Sequence, residues 1–250
     1  MTGAHNEITL VTGASGSIGR ATVRALAARR RPVVTVDRRA LPEPEASLVL
    51  RHLECDLEDD AATADGLASL TSEKRLRHVI AIAGGGDAEE LAQADPATED
   101  FSIFSRVVAN NLHTAFVTVR NIVSPMRAAG GNRSITLVGS INALGGYGAP
   151  GYSAAKAGLT GLVNALATPL GLDRIRINCL VLGTVDTENL HRLAESRGSQ
   201  LDLVALADRA PLGRVLKPAD VASALVAIAF DMAGLTGASL VLDNGQTHIR

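Results

Sequence analysis

Along the chain, short apolar runs rich in β-branched residues alternate with longer stretches whose apolar positions recur every three or four residues. The short runs predict strands over 8–12, 33–37, 48–55, 78–83, 134–139, 175–182 and 239–242. The longer stretches predict helices over 17–31, 60–70, 99–129, 152–170 and 218–230. Pro125 predicts a bend in the third of these helices, and Pro169 an end or kink in the fourth. Segments 84–98 and 141–150 are polar or glycine-rich and read as loops, and a long connection runs from 182 to 216. The strands are almost continuously apolar, as strands are when helices cover both faces of a parallel sheet. The predicted fold class is therefore α/β, a doubly wound Rossmann-like parallel sheet. With no internal repeat or break in composition, 1–250 reads as a single domain.

Composition narrows the function classes. Hydrophobic residues make up 46% and charged residues 20%, the balance of an ordered globular chain. A net charge of −2 offers no basic surface to nucleic acid or to an anionic membrane. Four Phe, two Tyr and no Trp are too few rings for a platform that stacks single-stranded bases. The longest apolar run, 224–230, is far short of the roughly 20 residues of a membrane span. No basic segment followed by an apolar stretch opens the chain, so a cytoplasmic protein is expected. Cys55 and Cys179 read as reduced, buried thiols. The six histidines show no ligand spacing, and no metal site is expected.

The first strand runs directly into Thr12-Gly13-Ala14-Ser15-Gly16-Ser17-Ile18-Gly19, which opens a helix. Glycines there let the backbone approach a pyrophosphate, which then sits on the positive end of the helix. Gly13, Ser15, Gly16, Ser17, Ile18 and Gly19 are thus candidate contacts to a dinucleotide. Asp37 ends the second strand, where a carboxylate accepts hydrogen bonds from the adenosine ribose and faces a 2′-phosphate with like charge. That favours NAD. The adjacent Arg38-Arg39 pair suits a 2′-phosphate and leaves NADP open.

Tyr152 and Lys156 lie four residues apart at the start of a helix, on one face, and Ser140 ends the preceding strand. In a doubly wound sheet these positions converge on the ligand crevice. A carbonyl that accepts hydride needs a proton donor, and an alcohol that loses hydride needs a base. Tyrosine serves both if its pKa falls from about 10 toward neutrality, roughly 4 kcal/mol. An ammonium about 4 Å away, at an effective dielectric near 20, supplies about that much. Ser140 would hold the substrate oxygen. Tyr147 has no lysine at helical spacing and is expected to line the substrate pocket.

Together these motifs resemble the short-chain dehydrogenase/reductase family, from Ile8 to about Thr247. The resemblance implies seven parallel strands, a nicotinamide cofactor, a small alcohol or ketone substrate, and a homo-oligomer, dimer or tetramer, paired through the helices at 99–129 and 151–171. Asp56-Leu57 matches the pair that holds the adenine ring, and Ala83-Gly84 the segment that flanks the cofactor. Asn111 matches the asparagine that anchors a water in a relay with the lysine. Arg176-Ile177-Asn178, Pro211-Leu212-Gly213-Arg214 and Asp243-Asn244-Gly245 match further signatures. In the Gly183-Thr184-Val185-Asp186-Thr187 match, Val185 and Thr187 would contact the carboxamide. The departures are Ser17 at a usual glycine, Ala81-Ile82 for a pair of asparagines, and Leu182 for a proline. None removes a catalytic group. A substrate lid is expected over about 186–212, with Leu190, His191, Leu193, Leu201 and Leu203 as wall residues and a largely uncharged substrate. Acidic Asp87, Glu89, Glu90 and Asp95 are expected to face solvent. A related epimerase, dehydratase or dehalogenase, or a dinucleotide sensor without catalysis, are the alternatives.

Overall fold

The structure, a computed structural model, describes residues 7–71, 75–145 and 148–248. Tyr147 lies outside the described residues, so its expected place in the pocket stays a sequence reading. Seven parallel strands form one sheet in the order β3-β2-β1-β4-β5-β6-β7. They are β1 (Glu7–Thr12), β2 (Val33–Asp37), β3 (Arg51–Glu54), β4 (Arg75–Ala81), β5 (Arg133–Ser140), β6 (Ile175–Leu182) and β7 (Ser239–Leu242). β2, β5 and β6 are buried along their whole length, including the polar Ser134, Thr136, Arg176 and Asn178, because helices cover both faces of the sheet.

Helices cover both faces. α1 (Ser17–Ala28) and α9 (Pro218–Phe230) close one side over Val11, Val33, Ile80 and Leu180. α2 (Asp60–Thr71), α5 (Thr114–Ala129) and α6 (Pro150–Leu172) close the other over Leu10, Val79, Ile135 and Ile177. Chain order reverses between β1 and β4, so the carboxyl ends of these strands open a crevice at the switch point.

Several boundaries differ from the sequence reading. α1 stops at Ala28 because Arg30 turns left-handed, with φ 54°. Residues 45–48 form a 3₁₀ turn, and β3 begins only at Arg51. The long helix over 99–129 is broken not at Pro125 but by a π turn, Ala109–His113, between α4 (Phe101–Val108) and α5. Such a widened turn makes room for a side chain to leave the helix, and here it is Asn111. α6 runs through Pro169 to Leu172. The loop at 84–98 holds the short helix α3 (Ala88–Leu91), and the lid holds α7 (Glu188–Ser196) and α8 (Leu203–Ala207).

The Arg176-Ile177-Asn178 signature is a set of structural pegs. The Arg176 guanidinium donates to the carbonyls of Ile228, Ala229 and Leu235. The Asn178 amide nitrogen donates to Leu235 O, and its oxygen accepts from Ala238 N. These bonds fix the approach to β7.

Candidate active site

A cleft of about 1180 Å³ follows the carboxyl ends of the strands, from Asp37 and Asp56 at one end to Tyr152 and the lid helices at the other. At its centre the glycine turn is packed to the limit. A Cβ on Gly19 would lie 2.2 Å from Gly13 O, and one on Gly13, at φ +67°, would lie 2.6 Å from Ala83 N. Only glycine permits that approach. α1 begins at Gly16 with no side-chain cap and no acidic residue in its first turn. Its N–H groups and helix dipole therefore face the cleft unneutralised, which fits an anionic pyrophosphate.

Gly13, Gly16, Ser17, Ile18 and Gly19 line the cleft. Ser15 behaves differently. Its hydroxyl donates to the carbonyls of Arg39 and Ala40, and its backbone N–H donates to Asp37 Oδ2 at 3.0 Å. The other Asp37 oxygen accepts from Arg39 N at 3.0 Å. Asp37 thus ties the glycine turn to the end of β2 while facing the cleft. Arg38 and Arg39 both line this end, and Arg39 Nε stands 3.7 Å from Asp37 Oδ1. The Ser17 hydroxyl accepts from Glu188 N at 3.2 Å, and Arg20 pairs with the Glu188 carboxylate. The phosphate turn is thereby fastened to the first lid helix.

Asp56, Leu57, Ala83, Gly84, Gly183, Val185 and Thr187 also line the cleft. Thr187 caps α7, its Oγ1 accepting from Leu190 N. Asn111 is almost wholly buried, and Asn110 and Thr114 face the cleft in its place. The Asn111 amide pins a glycine strap: Oδ1 accepts from Gly85 N at 2.9 Å, and Nδ2 donates to Gly85 O and Val107 O, each at 3.0 Å. Its side chain is committed to the backbone, so any link from this residue to Lys156 runs through its main chain.

Ser140, Tyr152 and Lys156 share one wall. The Ser140 hydroxyl donates to Asn142 Oδ1 at 3.0 Å. Lys156 Nζ donates to Val138 O at 3.0 Å and lies 5.5 Å from the Tyr152 ring centroid. The ammonium is therefore aimed at a carbonyl, not at the phenol oxygen, in this conformation. Burial pulls Lys156 down to about 8, while the nearby Cys179 opposes this. Burial pushes the Tyr152 phenol up to about 12, with the neighbouring Ser140 side chain lowering it and the Glu90 charge raising it further. The lowered tyrosine pKa expected from the lysine is absent from the protein alone, because desolvation outweighs an ammonium held at this distance.

Two features were not read from the sequence. Glu90 does not face solvent. It is 3% exposed, lines the cleft, and its Oε1 accepts the N–H of Tyr152 at 2.8 Å. A signal was present in Asp87-Ala88-Glu89-Glu90, the spacing of a helix cap. Asp87 does cap α3, accepting from the N–H groups of Glu89 and Glu90. Second, Arg192, Arg197 and Arg209, scattered in sequence, all line the cleft. His191 turns to Asp186, its Nε2 lying 2.7 Å from Oδ1.

A family model described as "Enoyl-(Acyl carrier protein) reductase" matches residues 13–247. Cis-4-hydroxycyclohexanecarboxylate dehydrogenase of Sinomonas cyclohexanicum is 30% identical, over 97% of this chain and 97% of that protein. L-rhamnose 1-dehydrogenase (NAD(P)(+)) of Azotobacter vinelandii is 32% identical, over 94% of each. The chain spans 44% of another relative, an uncharacterized short-chain type dehydrogenase/reductase of Sinorhizobium fredii, at 32% identity. Among solved structures, a short chain dehydrogenase/reductase family oxidoreductase from Burkholderia thailandensis superposes with a TM-score of 0.85 at 31% identity, covering 98% of this chain and 94% of that one. The chain belongs to the short-chain dehydrogenase/reductase family. Dehydrogenases and reductases are named among its relatives. No helix among the described residues is long and apolar enough to cross a membrane.

Proposed function

We propose that the protein is an NAD(H)-dependent oxidoreductase that moves hydride between the nicotinamide and a secondary alcohol or its ketone. The observation that carries this reading is the convergence of Ser140, Tyr152 and Lys156 on one wall of a cleft whose far end is the bare α1 turn and Asp37. A nicotinamide held by these cleft residues would supply or accept the hydride. Ser140 Oγ turns from Asn142 to hold the substrate oxygen. The Tyr152 hydroxyl donates its proton to the nascent alkoxide in reduction, and its phenolate takes the alcohol proton in oxidation. Lys156, once its ammonium swings from Val138 O toward the cleft, would lower the cost of that phenolate and would be a donor for the cofactor ribose. Gly183, Val185 and Thr187 would border the carboxamide, and Asp56 and Leu57 the adenine.

Asp37 favours NAD, and the flanking Arg38 and Arg39 allow some use of NADP. Exposed Phe101 on α4 and Phe116 on α5 fit a homo-oligomer paired through these helices, dimer or tetramer, which light scattering will size. The test of the reaction is NADH absorbance with a panel of ketones and alcohols. Wild type should turn over at least one, and Tyr152→Phe should abolish turnover while NADH binding stays within a few-fold. Tight NADH binding without hydride transfer to any probe would instead favour a dinucleotide sensor.

A further inference from the structure

α6 carries both Tyr152 and Lys156, and its first turn has no local means of closure. The capping position is Ala149, which offers no side-chain acceptor, and Pro150 follows it. Proline at this place has no N–H to satisfy, but Gly151 and Tyr152 do. Both find Glu90, a residue 62 positions before Tyr152 on a different element. Gly151 is what lets it in: a Cβ there would stand 2.8 Å from Glu90 Oε1.

We propose that Glu90 is a positioning residue for Tyr152, its carboxylate closing the first turn of α6 and setting a negative charge beside the phenol. The proposal rests on Tyr152 being the acid and base of the reaction. A carboxylate is a strong acceptor for helix-terminal N–H groups and is favoured by the helix dipole. It fixes the backbone from which the phenol projects, so the ring meets the substrate without reorganising. Its charge also opposes formation of the phenolate.

The groups facing Glu90 bear on its own ionisation. Glu99 lies near enough to repel it, as does Asp87. Arg106 on α4 is engaged by Asp87 and Glu89. Glu90 Oε2 and both Glu99 carboxylate oxygens are buried with no hydrogen-bond donor among the described residues. Burial and these neighbours raise the Glu90 pKa above the usual carboxylate range, although the N–H groups of Tyr152 and Gly151 oppose the rise.

The chain has no Trp and only two Tyr, so Tyr147→Phe leaves Tyr152 as the sole phenol. Its ionisation can then be followed by ultraviolet absorbance with no substrate present. Glu90→Gln keeps an acceptor for α6 and removes the charge. In the Tyr147→Phe background it should lower the Tyr152 titration midpoint by about half a unit or more. Glu90→Ala removes the cap. With a ketone that the parent reduces, it should lower kcat about tenfold or more, with KM and NADH affinity within about threefold, and Glu90→Gln should restore most of the loss. Gly151→Ala, which favours helix but displaces Glu90, should reproduce the Glu90→Ala kinetics. An unmoved phenol midpoint in Glu90→Gln, or a Glu90→Ala defect confined to KM, would overturn the proposal. Failure of the parent to transfer hydride would overturn the catalytic reading alone, because the phenol titration needs no turnover.

Discussion

Asp37→Ala is the substitution on which the structure makes the most specific demand, because this carboxylate has two separable roles. Both of its oxygens accept backbone N–H groups, from Ser15 and Arg39, and the residue is 8% exposed. Removing the carboxylate leaves the buried Ser15 N–H without its acceptor, at about 1–3 kcal/mol. In a chain of this size each kcal/mol lowers Tm by about 2–4 °C, so a fall of roughly 2–12 °C is expected. The same change removes the acceptor for the ribose hydroxyls. Hydrogen bonds to a charged group are worth about 1.5–3 kcal/mol, so the Kd for NADH should rise roughly 10–100-fold. The opposite holds for NADPH. A 2′-phosphate set about 4 Å from Asp37 meets about 4 kcal/mol of repulsion per unit charge at an effective dielectric of 20, and the variant loses that penalty. Affinity for NADPH should therefore rise at least tenfold, helped by Arg38 and Arg39. Thermal unfolding followed by circular dichroism gives the first number, and NADH and NADPH fluorescence titrations give the second. A lower Tm with an unchanged ratio of the two affinities would refute Asp37 as the selector and assign that role to the arginines. An unchanged Tm would refute its bracing of the glycine turn.

Lys156 titrates near 8 when folded and near 10.5 when unfolded, so the unfolded chain binds more protons between these values. Stability should therefore rise by up to about 3 kcal/mol as pH goes from 8 to 10.5, and Lys156→Met should flatten that rise in urea melts. Above 10 the raised Tyr152 pKa works in the other direction, since the unfolded phenol ionises first and stability should fall. Gly19→Ala drives a Cβ onto the Gly13 carbonyl, with no flexible side chain to give way, and should abolish NADH binding and lower Tm. Ser17→Gly frees Glu188 N and should leave NADH binding within a few-fold while speeding proteolysis of the 186–212 lid, followed by gel. Arg197 and Arg209 reach the cleft without a carboxylate partner among the described residues, so a carboxylate-bearing alcohol should show a lower KM than its methyl ester. Equal KM values would return the lid to the uncharged substrate first expected.

The parts of the fold that could be read along the chain are those set by local periodicity, and the parts that could not are those set by what reaches across it. Val33–Val36 of β2 and Cys179–Leu182 of β6 are nearly unbroken apolar runs because both faces of the sheet are covered, and that signal survives in a single sequence. The glycine turn was legible for the same reason, since its close contacts fall within a few residues of Gly13 apart from Ala83. The break of the 99–129 helix was misplaced at Pro125 because its cause is not in the helix. Asn111 leaves its turn to bind Gly85, 26 residues earlier. Glu90 was misjudged for an equivalent reason. On its own element it sits in an acidic run that belongs in water, and only the unclosed start of α6 draws it inside. The tyrosine pKa failed on magnitude. Spacing puts Lys156 on the same face as Tyr152, but not how dry that face is, and dryness raises the phenol while lowering the lysine. A motif in sequence thus specifies which groups meet. Their proton affinities are set by neighbours from other elements, so the rate of proton transfer in this cleft should respond to residues such as Glu90 that no motif contains.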